Sequence, residues 1–306
     1  MLPLLLATST LLVQAAAPPA KTQPAPTPQT LAARSLVLAE LGFARKAAEE
    51  NTQAAFVSVL DEMGVLFRPG PVNGKAWFAT RPDDGSKLSW FPSFVEVSQA
   101  GDLGFSTGPF QWCEKVGSEQ VIHGHFVSIW GRRNGTWKLL LDTGLSHDAP
   151  GEEDPVFEPE NLKGTTKVEA APPFSAEALQ NREKEFSNAA SVRGLLSAYS
   201  AYLAPEARFY RPGTQPTTDL ENVRKALQAR KGNMTWAPLG GTVAKSNDLG
   251  YTYGISEFKP AIKPTGKAGT PPLAPQSSMF LHVWKRQPTG HWKVVLDIEN
   301  PLPPGK

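Results

Sequence analysis

Three residues near the middle of the 306-residue chain are suited to moving a proton: His123, His125 and Asp142. Imidazole titrates near neutrality, and a carboxylate beside it makes an acid/base pair. His123 and His125 stand two apart, so on a strand they share a face. Between them and Asp142 lies Asn134-Gly135, a two-residue turn signal because both positions accept positive φ. With these two residues as the turn, Val127 pairs with Asp142 and His125 comes beside the carboxylate. The chemistry expected is an acid/base dyad of Asp142 and His125, with His123 in support. A typical zinc site needs three convergent protein ligands. Only two imidazoles stand here, so no metal is expected. The plainer alternative is a pair of partly exposed histidines at a strand end, with Asp142 satisfied by an arginine or by backbone N–H groups.

The hairpin that carries Asp142 is written twice. Residues 126–142 hold a Phe, Trp130, Trp137-Lys138, an apolar triplet and Asp142; residues 280–297 repeat this with Trp284, Trp292-Lys293 and Asp297. In the simple two-residue register, Phe126, Ser128, Trp130, Trp137, Leu139 and Leu141 share one face. His125, Val127, Ile129, Leu140 and Asp142 share the other. Both faces are apolar, so the hairpin belongs in a sheet covered on both sides. Asp142 is a carboxylate among hydrophobes and needs a partner or a wet cavity. Each copy also has an Arg-Pro-Gly turn, Arg68-Pro69-Gly70 and Arg211-Pro212-Gly213. Arg68 and Arg211 are therefore the cations expected near Asp142 and Asp297. In the second copy Tyr251, Tyr253 and Glu257 share a strand face. They form either an aromatic ligand pocket with one acid or ordinary sheet packing.

The repetition extends beyond the hairpins. Glu40 and Phe43 correspond to Glu183 and Phe186, Phe56 to Tyr199, and Asp102-Leu103-Gly104-Phe105 to Asp248-Leu249-Gly250-Tyr251. Each copy runs from helices into strands, which makes this a domain duplication rather than a solenoid. Thr30 is the expected cap of the first helix, Asn73 of a short one, and Ser175 of the helix that opens the second copy. The organisation expected is a signal peptide over 1–17, from its apolar run and the Ala15-Ala16-Ala17 cleavage signal. A Pro-rich spacer over 18–30 follows, then a first domain over 31–146, a linker over 147–173, a second domain over 174–301 and a tail over 302–306. That signal implies a periplasmic or secreted protein. Lys and Arg total 31 against 29 acids, a net charge of +2, with no clustered basic footprint for nucleic acid. Cys113 is the only cysteine, so no intrachain disulfide can form. No apolar run is long enough for a comfortable membrane span.

The paired helices, the Phe67-Arg68-Pro69-Gly70 and Tyr210-Arg211-Pro212-Gly213 turns, the run from Asp248 to Gly254 and the hairpin from Trp284 to Asp297 together resemble the nuclear-transport-factor-2-like (NTF2-like) superfamily. That superfamily includes ketosteroid isomerase and the SnoaL cyclases, and the set is most similar to SnoaL-like secreted proteins. The resemblance implies an α+β class: two cone-shaped domains, each with N-terminal helices on a curved, mainly antiparallel sheet. The open sheet face of each domain carries Phe and Trp, so the two are expected to pack sheet against sheet as an intrachain pseudo-dimer, leaving the protein monomeric. The fold hosts enzymes, binders and assembly domains alike. A carboxylate base with a Tyr and protonated-Asp oxyanion hole finds no residue-by-residue counterpart here, and no cofactor is implied. The leading expectation is binding of a small apolar or aromatic ligand, or of a protein partner, without turnover. The alternative is an isomerase, cyclase or hydrolase using the first domain's Asp-His pair.

Overall fold

The structure, a computed structural model, describes residues 26–148, 157, 173–261 and 274–304. The expected signal peptide, most of the spacer and most of the linker lie outside the described residues. Among those described, no helix is long and apolar enough to cross a membrane.

The first unit opens with α1 (Pro28–Glu49) and α2 (Thr52–Val59). α1 starts earlier than the Thr30 cap would place it. Thr27 caps it by accepting from the Thr30 N–H, and Pro28 sits at the first helical position, where a missing N–H costs nothing. Strands β1 (Leu60–Phe67) and β2 (Pro71–Asn73) lead into α3 (Gly74–Ala79), capped by Asn73 as expected. The sheet continues through β3 (Lys87–Trp90), β4 (Phe94–Val97), β5 (Leu103–Cys113), β6 (Ile122–Arg133) and β7 (Thr136–His147). Its order is β2-β1-β7-β6-β5-β3, with β4 also on β5; β1 runs parallel to β7 and every other pairing is antiparallel.

The second unit repeats the plan. Its helices are α4 (Ala176–Arg193), capped by Ser175 as expected, and α5 (Leu195–Tyr202). After β8 (Leu203–Tyr210), Asp219 caps α6 (Leu220–Ala229), a helix not expected from the sequence. The strands β9 (Gly232–Val243), β10 (Leu249–Pro260), β11 (Gln276–Arg286) and β12 (Trp292–Pro301) complete a sheet of order β8-β12-β11-β10-β9. Both units are α+β domains in which one sheet face packs on the unit's own helices. Leu36, Phe43, Phe56, Trp130 and Leu139 fill the first such core. Leu179, Phe186, Tyr199, Trp236 and Trp284 fill the second.

A third core lies between the sheets. Phe67, Phe105, Val127, Ile129 and Leu141 from one unit meet Tyr210, Tyr251, Met279, Leu281 and Ile298 from the other. Polar contacts frame it in reciprocal pairs. Gln99 N–H donates to Asp248 Oδ2 at 2.8 Å, and the equivalent Lys245 N–H donates to Asp102 Oδ2 at 3.1 Å.

The turn at Asn134-Gly135 has the expected positive φ at both residues, 49° and 82°. The expected register, however, does not persist along the hairpin. A β-bulge inserts one residue of β7 between Ile129 and Trp130, so Trp130 pairs with Leu139 but Ser128, not Val127, pairs with Asp142. One extra residue moves every later side chain to the other face. Leu140 and Leu141 both join the core between the sheets, and Asp142 turns inward toward the helices.

Candidate functional site

In the first unit α1 brings Glu40 across the inner face of the sheet, where it is fully buried. Its Oε1 accepts from Trp90 Nε1 at 2.6 Å; its Oε2 accepts from Ser106 Oγ at 2.6 Å and Trp130 Nε1 at 2.9 Å. Burial raises the Glu40 carboxyl above its ordinary range, against those three hydrogen bonds. Asp142 lies further along the same face and accepts from Ser128 Oγ at 2.9 Å. Burial pushes it up to about 7, against the pull of the Arg68 guanidinium and the Ser128 hydroxyl, and the neighbouring Glu40 charge adds to the rise. A buried carboxyl that titrates near neutrality can accept or donate a proton under ordinary conditions.

Asp142 and Arg68 line a cavity of about 470 Å³. Its walls include Trp77, Phe78, Phe110 and Trp112, with Arg81, Asp83 and Asp84 among its polar residues. The Arg81 guanidinium stacks on Trp77, 3.4 Å above the ring. Aromatic walls combined with convergent polar groups suit a small-molecule site.

The equivalent place in the second unit is closed by charge pairing. Asp297, with no exposed surface, receives Arg211 Nη1 on Oδ1 and Nη2 on Oδ2, both at 2.9 Å, and the Tyr199 hydroxyl at 2.7 Å. His282 fills the gap that Ser128 leaves in the first unit. Its Nδ1 lies 3.0 Å from Glu183 Oε1 and its Nε2 3.5 Å from Asp297 Oδ1. Glu299 extends the row, with Oε1 3.2 Å from Arg211 and Oε2 2.8 Å from Arg230. Charges thus alternate from Glu183 through His282, Asp297, Arg211 and Glu299 to Arg230. Burial alone would raise the Asp297 carboxyl, but Arg211 and His282 outweigh it and hold Asp297 well below the ordinary carboxylate range. Burial works against the His282 cation, yet the Glu183 and Asp297 carboxylates lift it to about 10. A cavity of about 670 Å³ lies outside this row, lined by Arg211, Arg230 and Glu299 and by Pro301 to Pro304, but Asp297 does not reach it.

The bulge removes the expected dyad. His125 pairs with Leu145 on β7 and faces away from Asp142; its Nδ1 lies 3.0 Å from His147 Nε2, with the Tyr210 ring alongside. His123 stands at the strand end opposite His147, remote in register from Asp142. Neither histidine can serve Asp142. Tyr251 and Tyr253 belong to the core between the sheets, where Tyr253 meets Phe67, rather than to a pocket. Glu257 pairs with Lys259 at 2.8 Å on the surface. Arg68 with Asp142 and Arg211 with Asp297 do come together as two clusters, the second as a direct ion pair. Sequence reasoning passed over Glu40, Glu183 and His282 as site residues. The signal for the two glutamates was an acid at matching positions on an apolar helix face; for His282 it was an imidazole inside an otherwise apolar strand. Among the described residues no three His, Cys, Asp or Glu side chains converge as metal ligands.

Searches by sequence find no matching family model and no matching curated protein. Solved structures of similar fold do match. A ketosteroid isomerase-like protein from Erwinia carotovora atroseptica is 19% identical over 42% of this chain and 96% of its own, with a TM-score of 0.34. An NTF2-like protein of unknown function from Shewanella oneidensis is 14% identical over 36% and 96%, with a TM-score of 0.30. The association domain of CaMKII from C. elegans is 15% identical over 40% and 93%, also at 0.30. Each unit runs from two helices into a mainly antiparallel sheet, the element order that the sequence resemblance implies.

Proposed function

We propose that the chain is a tandem pair of NTF2-like domains in which the first binds a small apolar or aromatic molecule and the second serves as its built-in partner. The observation that carries this reading is the inequality of two equivalent sites. Asp297 is sealed by Arg211, Tyr199 and His282, whereas Asp142 opens with Arg68 onto an aromatic-walled cavity of about 470 Å³. The contacts between the sheets support an intrachain pseudo-dimer, in which the second domain covers an apolar face the first would otherwise expose. Mass spectrometry of small molecules co-purified with the native protein tests the reading, followed by ligand-observed NMR of those found. The expected result is an aromatic or apolar compound that the Trp77→Ala variant no longer retains. Retention unchanged by Trp77→Ala, or no compound retained at all, would remove the first cavity as a binding site.

A second reading is favoured by one observation. A carboxyl lifted to about 7 in the lining of a cavity is poised for proton transfer. In this reading Asp142 alone is the acid or base of an isomerase, cyclase or hydrolase, with no histidine in the step. Turnover of the co-purified compound, lost in Asp142→Asn, would decide for it.

A further inference from the structure

Arg68 and Arg211 are the same residue in two copies of one site. Each precedes a Pro-Gly turn at the end of a strand that runs parallel to the Asp-bearing one. Leu66 pairs with Asp142, and Phe209 pairs with Asp297. Each guanidinium also turns one Nη1 back onto the preceding carbonyl, at 2.8 Å on Phe67 and 2.7 Å on Tyr210. There the likeness ends. The other N–H groups of Arg211 meet Asp297, Tyr199 and the Glu299 carboxylate. In the first unit Phe56 stands for Tyr199 and Gly144 for Glu299. The bond to Phe67 is the one side-chain hydrogen bond Arg68 makes among the described residues.

The first unit thus supplies no carboxylate at this position: the Phe110 ring lies over Gly144, 3.2 Å from where a Cβ would stand, and Arg68, Gly144 and Phe110 all line the cavity. A planar guanidinium fork with unused N–H groups matches a carboxylate, which it can bind through two parallel hydrogen bonds. The Trp77, Phe78, Phe110 and Trp112 rings in the same wall match a flat apolar body. Asp142 does not oppose an anion there while burial keeps it protonated, well below about pH 7, and the Arg68 and Arg81 cations equal in number the Asp83 and Asp84 carboxylates of the lining.

We propose that the first cavity selects small aryl carboxylates, with Arg68 binding the ligand's carboxylate as Arg211 binds that of Glu299 in the second unit. This rests on the reading of that cavity as a ligand site and names what the site takes.

The test compares 1-naphthoate with its neutral isostere 1-naphthamide by isothermal titration calorimetry on the full chain at about pH 5.5, where the naphthoate is ionised and the raised Asp142 carboxyl keeps its proton. The acid should bind tighter by roughly ten-fold or more, the scale of one charge-assisted pair. Arg68→Gln should bring the acid down to the amide's affinity, Arg68→Lys should restore part of the difference, and Arg224→Gln, on the exposed face of α6 in the second unit, should leave it intact. Equal affinities in the wild-type protein, which needs no variant to fold, would overturn the carboxylate assignment and leave the cavity as a binding site for neutral molecules. A preference that survives Arg68→Gln would also overturn it. Failure of both probes to bind would overturn the cavity reading and this inference with it.

Discussion

Arg211 grips Asp297 with both terminal nitrogens, each 2.9 Å from a different carboxylate oxygen, deep in the second unit. Removing one member of such a buried pair leaves an uncompensated charge, which costs about 3–5 kcal/mol. Arg211→Ala should therefore lower stability by that order in urea unfolding. The matching Arg68→Ala removes no ion pair and should cost no more than about 1–2 kcal/mol, the range of an ordinary substitution. Equal losses at the two positions would show that the sites are not energetically distinct.

The two aspartates should also respond to pH in opposite directions. Asp142 is raised to about 7 from an unfolded value near 3.8. Across that interval the folded state holds a proton that the unfolded state has released. Its contribution to stability is complete below about pH 4, declines as pH rises, and is gone above about pH 7. Every tenfold difference in proton affinity between the two states is worth about 1.4 kcal/mol, so the swing is a few kcal/mol. Unfolding free energies of wild type and Asp142→Asn, measured from pH 4 to 8, should diverge along this curve, the wild type losing ground as pH rises. A difference that is flat across the range would mean Asp142 titrates like a solvated carboxylate.

His282 is predicted to be an imidazolium throughout the neutral range. Its folded value of about 10 exceeds the unfolded value near 6.5, so the stability it supplies is present at and below about pH 6.5 and fades as pH rises toward 10. Nitrogen chemical shifts of its ring should report both nitrogens protonated from pH 6 to 9. A single-proton tautomer at pH 7 would break the alternation of charges from Glu183 to Arg230. His282→Ala would leave the buried Glu183 carboxylate without its cation, Asp297 keeping only Arg211, and it should destabilise by about 3–5 kcal/mol.

The doubled hairpin, the caps at Asn73 and Ser175 and the turn at Asn134-Gly135 were all legible because each is a local signal or a repeat. The face on which Asp142 lies was not. It depends on the single extra residue at Leu140, which follows from packing two leucines into the core between the sheets and leaves no mark in the apolar pattern. The position of His125 failed with it. Comparing the two copies for what they share picked out Asp142, Asp297, Arg68 and Arg211. The chemistry of the two sites differs through what they do not share, Ser128 against His282, Phe56 against Tyr199 and Gly144 against Glu299, so a search for common residues passed over the decisive ones. Tyr251 and Tyr253 showed the right period for a pocket wall, but period alone does not say which face of a sheet a second domain will cover.

The reciprocal contacts of Asp102 and Asp248 give the sharpest test of how the two units meet. Gln99 and Lys245 are equivalent residues, and each donates its backbone N–H to the aspartate of the other unit. An interface of this kind, in which residue i meets j and j meets i, is what a two-fold arrangement produces. Asp248→Ala takes away the acceptor for the Gln99 N–H, and leaving such a group unanswered costs about 1–3 kcal/mol. The loss should appear as faster amide exchange at Gln99, in the first unit, although the substitution lies in the second. Asp102→Ala should in turn speed exchange at Lys245. Because both contacts hold the same interface together, their effects on global unfolding should couple by about 0.5 kcal/mol or more in a double-mutant cycle. Exchange at Gln99 unchanged by Asp248→Ala would mean the two units do not meet here in solution, and the pseudo-dimer would have to be abandoned.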